Sequence, residues 1–274
     1  MPGEDFDSAL GAAIAFKSQG IGAVFTKLGE NIKAVSEATA AVEHYEIVLK
    51  VAADAGVEPE ISVKPTQFGL DFDPELAFAN LNRLAESAAR VKGFLWIDME
   101  GSSYTDRTLV LYNRLHGRHP GVGICLQAYL YRTAADVFRL LPYKPSIRLV
   151  KGAYAEPADR AFPAKRDVDA NYLALCALML PDANRRRLRL VLGTHDIALI
   201  GHAARFADGI GMDRHQLEVH MLYGIRTAQQ VKLAAEGYRV RDLIAYGDAW
   251  YGWYLRRLAE RPANVLFVAR QMLG

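Results

Sequence analysis

Charged and hydrogen-bonding side chains recur at one kind of position in this 274-residue sequence, directly at the end of short apolar runs. Lys64 ends Ile61-Ser62-Val63, Asp98 ends Phe94-Leu95-Trp96-Ile97, and Gln127 ends Gly123-Ile124-Cys125-Leu126. Lys151 ends Ile147-Arg148-Leu149-Val150, Thr194 and His195 follow Leu190-Val191-Leu192-Gly193, and His220 sits within Leu217–Leu222. Each has a bland explanation alone. Lys64 and Asp98 suit a buried ion pair, Lys27 and Glu30 a surface pair, Gln127 a loop tie, and His195 a satisfied core histidine. As a set they suit a ligand site, because polar groups massed beside apolar runs are costly unless paired or used. Near the end of the chain, Trp253-Tyr254-Leu255-Arg256-Arg257-Leu258-Ala259-Glu260 reads as an amphipathic helix with adjacent arginines. Neighbouring residues point about 100° apart on a helix, so the two arginines reach different places. Arg256 and Glu260 are spaced to pair. A planar guanidinium fork favours a carboxylate. The competing reading is a solvated charged face.

Other chemistries lack their signatures. There is no GxSxG nucleophile elbow, no P-loop, and no G-x-G-x-x-G after a strand. His195-Asp196 and His220 are a whole strand–helix unit apart, and no carboxylate pair has facial-triad spacing, so no metal is expected. Cys125 and Cys176 lie in apolar segments and read as small buried hydrophobes in a reducing compartment. A net charge of +2 gives no case for nucleic acid. The basic run Arg185-Arg186-Arg187-x-Arg189 after Pro181-Asp182 reads as a solvated loop. No stretch approaches 18 uninterrupted apolar residues, and the acidic start Met1-Pro2-Gly3-Glu4-Asp5 is unlike a secretory signal. The expected location is the cytoplasm, with peripheral contact at the inner face of a membrane left open.

The elements that must position these residues alternate. A helical arm near 5–18 precedes strands at 23–28, 61–64, 94–98, 123–127, 147–151, 190–193, 217–222 and 242–245. Helical runs fall near 36–55, 74–91, 105–116, 133–140, 167–180, 196–207, 226–236 and 249–261. Eight strand–helix units in about 240 residues predict a (β/α)8 TIM-type barrel, with an arm over 1–22 and the barrel over 23–274. In that architecture the carboxyl ends of the strands form the active face, which is where the polar residues fall.

Several blocks then resemble the bacterial proline dehydrogenase family: Val63-Lys64, Ile97-Asp98-Met99-Glu100, Leu126-Gln127-Ala128-Tyr129, Arg148-Leu149-Val150-Lys151-Gly152-Ala153-Tyr154, Gly193-Thr194-His195 and Leu255-Arg256-Arg257-Leu258-Ala259-Glu260-Arg261-Pro262. They occur in order from about Phe25 to Ala269. The resemblance implies a distorted barrel with the last helix over its mouth and non-covalent FAD. It also implies hydride transfer from proline to flavin N5, giving 1-pyrroline-5-carboxylate, with a quinone as electron acceptor. By this resemblance Lys64, Arg256 and Arg257 clamp the substrate carboxylate, Glu260 fixes an arginine, and Asp98 and Arg148 are the central polar pair. Met99, Gln127, Arg148, Lys151, Gly152, Ala153, Thr194, His195 and His220 contact flavin. Tyr154 and Leu222 wall the substrate pocket.

Three positions depart from the family pattern. Leu243 stands where a tyrosine over the proline ring is usual, Trp253 where tyrosine is common, and His220 where glutamine is common. Pocket changes of this size are worth about 1–3 kcal/mol in discrimination, so a substituted ring such as hydroxyproline becomes an alternative substrate. A catalytically silent FAD-binding barrel and an unrelated lyase or aldolase barrel are the other readings.

Overall fold

The computed structural model describes residues 1–29 and 31–249. Eight parallel strands follow in chain order: β1 Gly22–Lys27, β2 Glu60–Val63, β3 Phe94–Ile97, β4 Val122–Gln127, β5 Ser146–Val150, β6 Arg189–Gly193, β7 Glu218–Leu222 and β8 Arg239–Tyr246. Each pairs with the next, and β8 pairs with β1 to close a barrel. The connections carry α2 Val35–Asp54, α3 Pro74–Arg90, α4 Thr105–His116, α5 Thr133–Leu140, α6 Lys165–Asn184, α7 Ile197–Gly209 and α8 Thr227–Ala235. A helix α1, Phe6–Lys17, precedes β1 and packs on β1 and β8 through Phe6, which meets Phe25 and Tyr246. The helix expected at 249–261 falls, but for its first residue, outside the described residues. None of the described helices is long and apolar enough to cross a membrane.

Local chemistry sets the helix starts. Asp73 caps α3 by accepting from the Glu75 amide at 2.9 Å, and Pro74 occupies the first helical position, where its missing N–H costs nothing. Ala77, Leu81, Leu84 and Ala88 then recur on the face turned to the sheet. Helix α6 runs further than the sequence suggests: Pro181 lies inside its last turn, and the helix continues to Asn184. A proline there removes a single backbone bond near a helix end. The arginines that follow, Arg185 to Arg187, are exposed.

Side chains alternate between two environments along each strand. One set faces the helices and builds the main core. The other fills the barrel interior, where Val24, Trp96 and Val191 pack with Phe94 and Leu243. Beneath them, at the amino ends of the strands, lies a charged layer. Arg189 donates to Glu218 at 2.6 Å and to Glu60 at 2.8 Å, and Arg241 reaches Glu218 at 3.3 Å. Trp96 Nε1 donates to Glu60 at 2.9 Å. Glu58, exposed at the edge, also pairs with Arg241; among the buried groups two carboxylates face two guanidiniums, and such balance is the condition under which ions are tolerated inside a protein.

Candidate active site

At the opposite, carboxyl end of the strands the barrel opens into a cavity of about 580 Å³. Every expected site residue within the described set lines it. Trp253, Arg256, Arg257 and Glu260 lie outside the described residues.

The deepest polar group is a three-way contact between β2, β3 and β5. Arg148 is 4% exposed, and its Nη2 donates both to Ser62 Oγ at 2.6 Å and to Asp98 Oδ1. Ser62 in turn donates to Asp98 Oδ1 at 2.8 Å. The partner of Asp98 is therefore Arg148, and the Lys64–Asp98 ion pair considered from sequence is not formed. The guanidinium sits over the Trp96 ring, 5.2 Å from its centroid. Burial works to lower the Arg148 pKa, but Asp98 and Cys125 outweigh it and hold it above its usual value. The cation is permanent. Its Nη1 is buried with no hydrogen-bond partner among the described residues.

Two further polar groups are partly unsatisfied. Gln127 Nε2 donates to the Met99 carbonyl at 3.2 Å, which orients the amide and leaves the buried Oε1 without a partner among the described residues. His220 Nε2 lies 2.9 Å from Glu218 Oε1. Burial holds the His220 pKa down to about 4. Burial works to raise Glu218, yet hydrogen bonds from His220 and Arg189 overcome it and keep it ionised. Nε2 must therefore carry the proton, and Nδ1, also buried and without a partner among the described residues, is an acceptor. His220, expected from the resemblance to contact flavin, has its ring on the cavity lining, and its other nitrogen joins the charged layer below.

The rim is built by backbone as much as by side chains. Gly152 has φ +129°, and a Cβ there would lie 2.5 Å from the Tyr129 ring, so only glycine lets the chain lie on that ring. Lys151 is held by Asp169 at 2.5 Å and Asp196 at 2.9 Å. Asp196 also caps α7. Thr194 Oγ1 accepts from the Asp196 amide at 3.1 Å. His195 Nε2 accepts from the Leu222 amide at 3.2 Å, tying the β6 exit to the β7 exit. Glu100 holds the β2 exit by accepting from the Thr66 amide and hydroxyl. Met99, Ala153, Tyr154, Leu222 and Leu243 supply walls, and Lys64 lines the mouth.

Sequence reasoning missed Ser62, the carboxylates on Lys151, and the charged layer. The signal for two of these was periodicity. Glu60, Ser62 and Lys64 share one strand parity, as do Glu218, His220 and Leu222, so all face the barrel interior. Glu60, Glu218 and His220 also offer three ligand atoms within 4.8 Å of one another. Arg189 and Arg241 already neutralise those carboxylates, which argues for an ionic network over a cation site.

Fold and site together define a (β/α)8 barrel with a guanidinium–carboxylate pair inside its cavity, at the carboxyl ends of the strands. A profile of the family described as Proline dehydrogenase matches residues 9–270. "Proline dehydrogenase 2" of Bacillus subtilis (strain 168) is 35% identical over 270 residues, covering 98% of this chain and 88% of that protein. "Proline dehydrogenase" of Deinococcus radiodurans is 38% identical over 276 residues, covering 99% and 88%. The crystal structure of proline utilization A from Bdellovibrio bacteriovorus, inactivated by N-propargylglycine, superposes with a TM-score of 0.86 at 22% identity. It shares the fold over 94% of this chain, which spans 32% of that longer one. The chain belongs to the proline dehydrogenase family.

Proposed function

We propose that this chain oxidises L-proline to 1-pyrroline-5-carboxylate with a non-covalently bound FAD, electrons passing on to a quinone at the inner face of a membrane. The observation that carries the reading is a set of three buried polar atoms on the cavity lining that have no partner among the described residues: Arg148 Nη1, Gln127 Oε1 and His220 Nδ1. Buried polar atoms are rarely left unpaired without reason. One donor and two acceptors suit a heteroaromatic ring with both carbonyl and N–H edges, as a flavin has, and Gly152 lets the backbone come close. When bound, FAD supplies the hydride acceptor.

The residues then divide the work. Arg148 supplies fixed positive charge where negative character develops during transfer. Gln127, His220, Met99, Lys151, Gly152, Ala153, Thr194 and His195 surround the cofactor. Lys64, with Arg256 and Arg257 steadied by Glu260, holds the substrate carboxylate so that one C–H faces the acceptor. Tyr154, Leu222, Leu243 and Trp253 enclose the ring and keep water from it.

Anaerobic titration of the purified protein with L-proline tests this. Bleaching of the oxidised flavin bands is expected. A colourless protein, or a yellow one unchanged by proline, refutes it. Leu243 on the cavity wall favours a second substrate reading, because it brings an aliphatic branch and no hydroxyl to that wall. Hydroxyproline belongs in the same titration.

A further inference from the structure

We propose that Ser62 is a positioning residue for the oxidation, acting through Asp98 and Arg148 without touching substrate. The inference rests on the proposed reaction at this site. Ser62 is 0% exposed and sits on β2, one strand from Asp98 and three from Arg148. Its hydroxyl has one proton and uses it on Asp98 Oδ1 at 2.8 Å. It accepts from Arg148 Nη2 at 2.6 Å. The hydroxyl thus closes a triangle in which Arg148 Nη2 and Ser62 converge on the same carboxylate oxygen.

Two consequences follow from that geometry. Arg148 Nη2 is fully engaged, so Nη1 is the guanidinium nitrogen left for the cavity, and the plane of the group is fixed by Ser62 on one side and the Trp96 ring beneath. Trp96 is itself pinned by Glu60, so the platform does not rotate. Both donors on Asp98 fall on Oδ1, which turns Oδ2 away from the triangle. A side chain held by one neighbour rotates about its terminal bonds; one held by three does not. Ser62 therefore sets the direction of the cation and carboxylate that face the reacting atoms, and preorganised direction is what makes such charges effective in catalysis.

The test uses Ser62→Ala and Ser62→Thr in the FAD-loaded protein, read by stopped-flow flavin bleaching with proline, FAD content, and thermal melting. Losing a hydrogen bond to a charged partner predicts a limiting bleaching rate lower by about 10- to 100-fold in the alanine variant. Apparent proline affinity should change less than about threefold. Ser62→Thr, which keeps the hydroxyl, should recover most of the rate. In an Asp98→Asn background, Ser62→Ala should cost much less than alone, because both changes break the same triangle. A limiting rate within about twofold of wild type, or a cost equal in both backgrounds, overturns the proposal. Loss of rate that merely tracks loss of bound FAD overturns it too, assigning Ser62 to scaffold only. Failure of the wild type to bleach would instead refute the parent reading.

Discussion

Replacing Asp242 by asparagine should stabilise the protein most at neutral and alkaline pH, less in mild acid, and hardly at all below about pH 4. Asp242 is on β8 with 0% exposure, and neither carboxylate oxygen has a hydrogen-bond partner among the described residues. Its strand neighbours Arg241 and Leu243 face the barrel interior. Asp242 therefore shares the outer face with Tyr246, under α1, where Phe6 packs on Tyr246. Burial alone raises its pKa from 3.8 to about 7. The sign follows from proton binding. Below pH 3.8 folded and unfolded chains are both protonated, and the site costs nothing extra. From there to about pH 7 the unfolded chain sheds its proton and the folded one keeps it, so stability falls as pH rises. A gap of about three pKa units corresponds to about 4 kcal/mol once both states are ionised. Asparagine keeps the shape and the buried polar atoms but cannot ionise. The advantage of the variant should thus be about 1.6 kcal/mol at pH 5 and about 4 kcal/mol at pH 8. Urea unfolding of both proteins, FAD present, at four pH values between 5 and 8 measures it. Taking the difference cancels other titrating groups, including His44 and His220, which burial holds down to about 4 and which run the opposite way. A difference that does not change with pH, or a variant less stable at pH 8, would refute the assignment of a buried, uncompensated carboxylate.

Gly152→Ala forces a Cβ against the Tyr129 ring at a positive φ, and should weaken FAD retention about tenfold or more, read from the absorbance ratio after gel filtration. Arg189→Met leaves Glu60 and Glu218 short of a cation. It should lower the unfolding free energy by about 3–5 kcal/mol in urea with an unchanged m-value. Leu243→Tyr adds bulk and a hydroxyl to the cavity wall, and should shift the ratio of kcat/KM for proline over 4-hydroxyproline by about tenfold or more.

The barrel was readable because its strands are buried on both faces and end in polar residues at regular intervals. Lys64, Asp98, Gln127 and Lys151 each mark a strand exit, and the structure brings all four to one cavity. What was hidden was partnership. Lys64 is nearer to Asp98 in sequence than Arg148 is, yet Arg148 makes the contact, because it sits in the barrel two strands on at the depth of Asp98. Lys151 reads as a free cation until Asp169 and Asp196 arrive from later in the chain. Helix α6 passes through Pro181 because neighbouring packing outweighs one lost backbone bond at a final turn. Glu218 and Arg241 were legible only by strand parity, since charges at the start of a strand look like solvated ends until the alternation is followed inward.

The charged layer at the amino ends of the strands bears on how the chain can be assembled. Glu60 belongs to β2, Arg189 to β6, Glu218 to β7 and Arg241 to β8. A polypeptide stopped after β4 would hold Glu58 and Glu60 with neither arginine, and one begun at β5 would hold both arginines with two of their carboxylate partners missing. Neither half reaches neutrality by itself. Two such fragments made separately should stay largely unstructured alone and regain the barrel only when mixed, so that ionic balance makes closure an all-or-nothing event.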